Sequence, residues 1–322
     1  MKCVETATLS TMNSDTKISI TLPTYNRADL LPNAISSILS QSYPHWELLV
    51  WDDGSTDKTK AVIQSFTDDR IRYFCDDNHG KPYALNQAIS KATGQYLAFL
   101  DDDDQWLPSK LEKQINTLLK YTQVDLIFGN FNNSDKETQI SDVGFSQNTR
   151  GLEALRTKKL DENCFLILEG WLNGISASNF IAFDTVIMKK EVIHKLGPFN
   201  EDLRISEDFE YWWRFGLAGL TAAYTKDILM KRIKIPGSLS GRSITGIENQ
   251  LKMLDSCAKQ SKAYGHPDTA TLLRPMYRNA WQNKILFYGQ AGDKKNAWRS
   301  FLRSLDYGFR LGSAKILFKA LV

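Results

Sequence analysis

The chain has 322 residues, of which 42% are hydrophobic and 24% are charged, and its formal net charge is +3. These values are typical of an ordinary folded protein of one large domain, or one domain with an extension, and they exclude a disordered or collagen-like chain. The small net charge gives no indication of nucleic-acid binding, and no apolar run reaches the roughly 20 residues of a membrane-spanning helix.

The first 16 residues are polar and contain no apolar signal region, so we expect a flexible N-terminal tail and no secretory signal. The four cysteines are widely separated in the sequence, at Cys3, Cys75, Cys164 and Cys257. This spacing favours reduced thiols in a cytoplasmic protein over a disulfide framework.

From residue 17 to about 130, short apolar runs alternate with helical patterns. The predicted strands are Ile18–Leu22 (ended by Pro23), Trp46–Trp51, Ile71–Cys75, 95–100 and Val124–Phe128. The predicted helices are about 29–41, one that carries Ala61, Val62 and Phe66 and is capped by Ser55 or Thr56, about 83–91, and about 108–121. This alternation predicts an α/β fold with a mostly parallel sheet flanked by helices.

The alternation stops at residue 130. The polar stretch 130–150 predicts loops or a lid, and 179–188 predicts another strand. We expect a helix from Lys190 that ends at Gly197, and a second one that begins at Glu207 and continues to Leu217. From about residue 246 the pattern is helical, with breaks at 265–267 and 289–293.

Four consecutive aspartates, Asp101 to Asp104, directly follow the apolar run Tyr96 to Leu100. They therefore lie at the carboxyl end of a predicted strand, where open α/β sheets build their ligand sites. Carboxylate oxygens suit a hard divalent cation such as Mg²⁺ or Mn²⁺. The alternative is a solvated acidic turn at the start of the next helix.

Two further polar clusters, Pro23 to Arg27 and Asp52 to Ser55, also follow predicted strands. In a parallel sheet all three clusters meet along one edge, which predicts a nucleotide site. Tyr25 could stack on a base, Thr24 or Asp53 could accept a hydrogen bond from it, and the aspartates could bind a metal that bridges a diphosphate.

No G-x-G-x-x-G or Walker sequence follows the first strand, so the phosphates need a metal or basic side chains. The candidates for such a basic group are His79, Lys81, Arg232 and Lys234. For each one alone, a solvated surface charge is the simpler interpretation.

Together these segments resemble the family 2 glycosyltransferases, which have the nucleotide-diphospho-sugar transferase (GT-A) fold. The matching segments are 20–27, 37–43, 49–57, 86–89, 94–104 and 206–214. The resemblance covers about residues 17 to 240. It predicts a GT-A catalytic domain over 17–240 and a helical C-terminal extension over 241–322.

The resemblance also implies roles for individual residues. For the donor, it implies that Tyr25 packs on the base in a pocket with Pro23 and Thr24, and that Asp53 hydrogen-bonds a uracil or thymine. It places Asp102 near the ribose. Arg27 and Lys81 are the other two residues expected to bind the donor. For the metal (Mn²⁺ or Mg²⁺) it implies Asp101 and Asp103, in a register that four adjacent acids leave open by one position. For catalysis it implies Asp208 as the general base.

The predicted activity is an inverting, metal-dependent transfer of sugar from a UDP- or dTDP-sugar to an acceptor hydroxyl, in the synthesis of a cell-surface polysaccharide or another glycan. With one general base and no covalent intermediate, the anomeric configuration of the sugar inverts. The Gln-x-x-Arg-Trp sequence of the processive synthases is absent, which favours single additions. Lys234 lies where many relatives have a histidine.

Two other functions remain open. A sugar-phosphate nucleotidyltransferase would need a glycine-rich basic sequence, which 23–27 lacks. A non-catalytic nucleotide-sugar-binding scaffold would be favoured by the loss of Asp103 or Asp208, but both acids are present. Glu207 and Asp208 also have a structural interpretation, because acids in a first helical turn complement the helix dipole.

Two aromatic-rich groups could contact substrate or membrane. The first group comprises Trp171, Phe180, Phe183, Tyr211, Trp212 and Trp213. We assign at most one or two of these residues to an acceptor pocket, because aromatic residues in a predicted element are more often core. The second group mixes apolar residues with the C-terminal cations Arg299, Arg303, Arg310, Lys315 and Lys319. It predicts either peripheral contact with the inner face of a membrane, which would suit a lipid-linked acceptor, or a packed helix with a solvated basic face.

Overall fold

The structure is a computed structural model that describes residues 16–134, 142–233 and 243–308, together with Ile316 and Phe318. The strands are β1 Ile18–Thr24, β2 Trp46–Asp52, β3 Ile71–Cys75, β4 Tyr96–Phe99, β5 Gln105–Trp106, β6 Leu126–Ser134, β7 Asp142–Val143, β8 Arg156–Lys159, β9 Cys164–Glu169, β10 Ile187–Lys189 and β11 Ala222–Ile233. The helices are α1 Leu31–Leu39, α2 Thr59–Gln64, α3 Lys81–Ser90, α4 Lys110–Lys120, α5 Gly144–Gln147, α6 Thr149–Glu153, α7 Trp171–Ala177, α8 Glu191–Leu196, α9 Glu207–Leu217, α10 Ile244–Ala263, α11 Arg274–Gln290 and α12 Lys294–Leu305.

The strands form one mixed sheet in the order β3-β2-β1-β4-β10-β6-β11-β9-β8, with β5 and β7 as short additions on β11 and β6. The first four strands are parallel, as the alternating sequence predicts. β10 then pairs antiparallel with both β4 and β6, and β11 is again parallel to β6. The predicted α/β fold with flanking helices is confirmed.

β1 ends at Thr24, two residues beyond the predicted last residue, Leu22. Pro23 and Thr24 pair with Trp51 and Asp52 of β2, whereas β4 ends opposite Thr21. Thr24 directs its carbonyl toward β2, where it accepts from the Asp53 N–H. Because successive residues of a strand face opposite neighbours, the missing N–H of Pro23 faces the side where β4 has ended. The proline therefore costs the sheet no hydrogen bond.

Two apolar clusters pack against the sheet. α1 contributes Leu31, Ala34, Ile35 and Ile38, all fully buried, and their spacing gives the single apolar face that the sequence predicts. α10 and α11 contribute to the other cluster, together with α9. Each fully buried leucine or isoleucine side chain of this kind stabilises the fold by about 1.5–3 kcal/mol.

Three local predictions were wrong. Residues 130–134 extend β6, and α5 and α6 occupy most of the remaining described part of 130–150, so the loop prediction fails there. Residues 179–188 contain a single 3-10 turn, Phe183–Thr185, before the short β10. α2 is capped by neither Ser55 nor Thr56, since the Asp57 carboxylate accepts from the Thr59 N–H (2.9 Å) and hydroxyl (2.5 Å).

The aromatic group proves to be core. Phe180, Phe183, Tyr211, Trp212 and Trp213 are all buried, and Trp171 is partly buried against them. The described cysteines are free thiols, and Cys3 lies outside the described residues. No helix in the described ranges is both long and apolar enough to cross a bilayer.

Candidate active site

The carboxyl ends of β1, β2 and β4 meet at one edge of the sheet, as predicted. The Thr24 hydroxyl, at the end of β1, donates a hydrogen bond of 2.7 Å to the Asp102 carboxylate after β4. The Asp53 N–H, just after β2, donates to the Thr24 carbonyl at 2.9 Å. Three clusters that lie far apart in the sequence are therefore joined directly, in the position where α/β sheets bind ligands.

Asp53 anchors the loop that leads into α3. Its two carboxylate oxygens accept from the backbone N–H groups of His79 (2.9 Å) and Gly80 (2.8 Å), and the side chain is 4% exposed. The adjacent Gly54 has φ +83°, and a Cβ there would lie 2.9 Å from the Asn78 nitrogen. Only glycine allows this approach. The role of Asp53 in base recognition stays a prediction.

Asn26 shapes the loop after β1. It has a left-handed backbone (φ 52°), and its side-chain oxygen accepts from the N–H of Thr56 (2.8 Å) and Asp57 (3.3 Å). This ties the β1 loop to the β2 loop and leaves the neighbouring Tyr25 side chain 46% exposed. An exposed ring held at the rim of the site has the access that stacking on a base requires.

Lys81, at the start of α3, lies between the aspartate cluster and α9. Its ammonium nitrogen is 2.7 Å and 2.8 Å from the two carboxylate oxygens of Asp101 and 3.3 Å from an oxygen of Glu207. Burial lowers the pKa of Lys81, but the carboxylates of Asp101, Glu207 and Asp184 outweigh it and raise this pKa well above its ordinary value. Lys81 is therefore a permanent cation in the site.

Asp102 and Asp103 lie in a site where the nearby carboxylates outweigh the nearby cations of the described residues. Burial raises the pKa of Asp102 to about 7, and the nearby Asp101 and Asp103 add to the rise, although Thr24 and Arg27 oppose it. The pKa of Asp103 is raised as well, first by burial and then by Asp101. A second cation among these carboxylates would relieve this repulsion.

Asp104 belongs to the framework of the site. It is buried, its carboxylate accepts from the Ile233 N–H at 3.0 Å, and Arg232 lies 4.0 Å away. These contacts attach the turn after β4 to the end of β11. Arg232, a predicted phosphate ligand, stacks over Phe131 at 4.4 Å. Lys234, another of these candidates, lies outside the described residues.

Sequence reasoning missed Asp184. This residue lies in the turn before β10, is 2% exposed, and accepts from the Asp101 N–H at 2.5 Å. Burial raises the pKa of Asp184 to about 7, and Asp101 contributes to the rise. Asp184 therefore positions Asp101 from the β10 side of β4, away from β1.

The oxygen ligands at this edge fit a divalent cation bound together with a ligand. Within the described ranges, no three side chains of His, Cys, Asp or Glu converge tightly enough to enclose a metal by themselves. Asp101 and Asp103 can offer carboxylate oxygens, and Mg²⁺ or Mn²⁺ commonly takes only one or two of these beside substrate phosphates. A metal site that is completed by the phosphates of a donor agrees with the absence of a third protein ligand in the described ranges and with the presence of these two carboxylates.

The acidic pair at the start of α9 faces the same site. Ser206 precedes it with a left-handed backbone (φ 67°), which is strained for a serine and turns the chain into the helix. Glu207 is buried against Lys81, and the Asp208 carboxylate accepts from the Phe209 N–H at 2.7 Å. Burial raises the pKa of Asp208 to about 6, and Glu207 adds to the rise, while Lys81 opposes it.

The end of the same motif is structural. The Arg214 guanidinium pairs with the fully buried Glu210 (2.9 Å) and donates to the carbonyl groups of Leu196 (2.6 Å) and Pro198 (2.9 Å). It fastens the chain between α8 and α9. His79 contributes its backbone N–H to Asp53, while its ring packs on Tyr83 with the centroids 4.4 Å apart.

The sequence agrees with one known family over the segment that carries most of these residues. The family model "Glycosyl transferase family 2" matches residues 19–170. Through this segment, the chain is similar to glycosyl transferase family 2. The family consists of sugar-transferring enzymes, and the resemblance inferred from the sequence motifs is confirmed.

One curated relative has an informative description. The UDP-Glc:alpha-D-GlcNAc-diphosphoundecaprenol beta-1,3-glucosyltransferase WfgD of Escherichia coli is 41% identical over 118 residues, which are 36% of this chain and 46% of that protein. The chain spans 29% to 63% of the length of five Rickettsia glycosyltransferases that are 30% to 33% identical to it.

Solved transferase structures share the fold. S. aureus TarS 1–349 in complex with UDP-GlcNAc superposes with a TM-score of 0.59 at 15% identity, covering 90% of this chain and 91% of that one. The mannosyltransferase PcManGT of Pyrobaculum calidifontis, in complex with GDP-Man and Mn²⁺, gives a TM-score of 0.58 at 18% identity, with 94% and 78% covered. The GT-A fold predicted from the sequence is thus confirmed.

Proposed function

We propose that the protein is an inverting, metal-dependent glycosyltransferase that moves a sugar from a UDP- or dTDP-sugar to an acceptor hydroxyl in the synthesis of a surface polysaccharide. One observation carries the proposal: Lys81 bridges Asp101 and Glu207, which brings the aspartate cluster next to the acidic pair of α9. A scaffold that only binds nucleotide would not need a second acid with a raised pKa beside its diphosphate site.

The donor would lie across the ends of β1, β2 and β4. Tyr25 would cover the base, Thr24 and Pro23 would form the floor, and Asp102 would lie near the ribose. Thr24 already orients the Asp102 carboxylate through a 2.7 Å hydrogen bond, so the ribose would meet a fixed acceptor. Uracil or thymine suits an acceptor at Asp53, because each has a ring N–H. The position of Arg27 near Asp102 and Asp103 supports a role beside the phosphates.

The leaving group needs positive charge because a nucleoside diphosphate departs as an anion. When bound, a divalent cation held by Asp101 and Asp103 would stabilise that charge. Lys81 supplies a second, permanent cation at the same place. Its position over the Phe183 ring, 4.7 Å from the centroid, limits the movement of the ammonium group.

Asp208 is the proposed general base. A carboxylate that is ionised at neutral pH but has a raised pKa can take the proton of an acceptor hydroxyl as this attacks the anomeric carbon. Because one attack replaces the leaving group directly, the anomeric configuration inverts. Glu207 contacts Lys81 and raises the pKa of Asp208, so its role is to tune the base.

For the acceptor we propose a lipid-linked glycan. The support is the similar WfgD protein, whose name specifies a diphosphoundecaprenol acceptor. The buried aromatic residues of α9 leave few rings to line an acceptor pocket, so the acceptor face is expected to be mainly polar.

The test is donor binding followed by turnover. UDP, dTDP, GDP and ADP are titrated by calorimetry with Mn²⁺, with EDTA and against Asp103→Ala, with Glu191→Ala on α8 as a matched loss of an exposed carboxylate. Metal-dependent binding of one nucleotide that Asp103→Ala abolishes and Glu191→Ala retains supports the proposal. If no diphosphate binds in the presence of metal, the proposal fails. If a nucleotide-sugar binds but is never consumed with any glycan or lipid-linked acceptor, the scaffold interpretation replaces it.

A further inference from the structure

α12 exposes two large apolar side chains to solvent. Trp298 and Leu302 lie one helical turn apart, so they share a face, and each is 48% exposed. The opposite side of the helix is buried against α11 through Ala297, Ser300, Phe301 and Ser304. The Trp298 ring contacts Phe301 with the centroids 5.5 Å apart, and about half of its surface and of the Leu302 surface stays open to solvent.

Cations flank this apolar pair on both sides. Lys294 precedes Trp298 by one turn, and a second row at four-residue spacing runs beside the pair through Lys295, Arg299 and Arg303. All four are exposed, and Arg303 has one exposed acidic neighbour, Asp306, at 3.8 Å. We call these six residues the α12 face; they are Lys294, Lys295, Trp298, Arg299, Leu302 and Arg303.

We infer that the α12 face docks the protein on an anionic lipid membrane. An interfacial helix places its apolar residues at the headgroup boundary, with tryptophan favoured there, and its cations among anionic headgroups. The charge of the face is complementary to such a surface. A second copy of the chain is disfavoured as the occupant, because like cations would oppose one another across the interface.

Further apolar surface lies close to this helix. Ile316 packs against the small cluster of Ile285, Ala297 and Phe301 under α12, while Phe318, two residues later, is 70% exposed. Each cation near an anionic bilayer strengthens binding about fivefold, so the four together support reversible attachment.

The inference deepens the proposed function, since a lipid-linked acceptor would lie at a membrane, but it is tested without donor or acceptor and can fail separately. The full chain is sedimented with phosphatidylcholine vesicles and with two-to-one phosphatidylcholine–phosphatidylglycerol vesicles. We expect binding to the anionic vesicles that weakens with salt and is much lower on neutral ones.

Substitutions assign the surface. Trp298→Ser with Leu302→Ser is expected to weaken vesicle binding at least tenfold, and Arg299→Gln with Arg303→Gln on the order of 25-fold. The controls, Leu168→Ser and Lys158→Gln with Lys159→Gln, remove a leucine that is 43% exposed and two exposed lysines from the edge hairpin of β8 and β9, and they should bind as wild type. Because all these side chains are exposed, the variants should fold, which an unchanged melting temperature verifies.

Several results would overturn the inference. One is failure of the wild-type chain to bind anionic vesicles. Another is equal loss of binding in the variants of the β8–β9 hairpin, which would remove the assignment to α12. Concentration-dependent self-association in ultracentrifugation that Trp298→Ser abolishes, without vesicle binding, would assign the face to a second copy instead.

Discussion

The ammonium group of Lys81 lies 2.7 Å and 2.8 Å from the two carboxylate oxygens of Asp101, so the first acid of the cluster is neutralised before any ligand arrives. The same group contacts Glu207, and it lowers the pKa of Asp208 relative to burial alone. One cation thus acts on both the leaving-group side and the base side of the proposed reaction.

Replacing Lys81 with methionine should impair both sides. We expect donor affinity to fall at least tenfold, because the diphosphate loses a fixed cation, and we expect the acidic limb of the pH–rate profile to move to higher pH, because Asp208 loses the charge that lowers its pKa. Calorimetry and kcat/KM against pH measure the two effects. Lys81→Arg is the matched control and should keep the limb near its wild-type position. A limb that does not move in Lys81→Met would contradict the coupling.

The pH dependence of the wild type follows from Asp208. Its pKa of about 6 means that the base is protonated and inactive below that pH and ionised above it, so kcat at saturating donor and metal should rise about tenfold per pH unit below pH 6 and level off above it. Asp208→Asn should lower kcat by about 10²–10⁴-fold and remove this limb. Donor binding by Asp208→Asn should stay close to wild type. A retained acidic limb in that variant would assign the titration to another group.

Metal binding should have its largest effect on stability at high pH. Asp102 has a pKa of about 7 in the folded chain, against an ordinary aspartate value near 4, so the folded state binds more protons than the unfolded state between those values. Stability without metal should therefore fall as pH rises through this window. Mn²⁺ with UDP competes with these protons, and it should raise the melting temperature more at pH 8 than at pH 5.5. Asp103→Asn should lose most of this increase, and an equal increase at both pH values would refute the argument.

Replacing Arg214 should lower the stability of the fold, because its contacts are structural. Arg214→Met leaves Glu210 charged, fully buried and without its cation, so we expect the free energy of unfolding to fall by about 3–5 kcal/mol. Urea unfolding measures this loss. The double variant Arg214→Met with Glu210→Leu removes both charges and should recover part of it. A single variant of wild-type stability but no activity would instead give Arg214 a direct role in the site.

Local patterns predicted the strand-end clusters well, because each one follows an apolar run that can only be a buried strand. They could not predict Asp184, which lies 83 residues beyond Asp101 and reaches it only because β10 inserts between β4 and β6. A single acid in the apolar segment 180–188 was the available signal. The end of β1 was mispredicted at Pro23 for a related reason. A proline costs a strand a hydrogen bond only where a neighbouring strand would accept from an N–H there, and β4 has already ended at that point.

Interpreting side chains was harder than interpreting elements. Asp53 and Arg214 lie in the motifs that suggested binding and catalysis, yet Asp53 accepts from backbone N–H groups of the loop before α3. Arg214 pairs with the buried Glu210 and donates to backbone carbonyls between α8 and α9. A sequence motif identifies residues that a site needs. It does not distinguish residues that contact the substrate from residues that hold the surrounding loops in place. The predicted boundary between a catalytic domain (17–240) and a helical extension (241–322) stays a prediction.

The antiparallel insertion of β10 has a consequence for synthesis on the ribosome. Residues 187–189 join two blocks of strands whose own residues are translated earlier, β1 to β4 on one side and β6 on the other. Until these three residues leave the exit tunnel, β4 and β6 both present open edges, the kind of surface that recruits chaperones or neighbouring nascent chains. The pace of translation between β6 and β10 therefore sets how long the β4 edge and this β6 edge stay open.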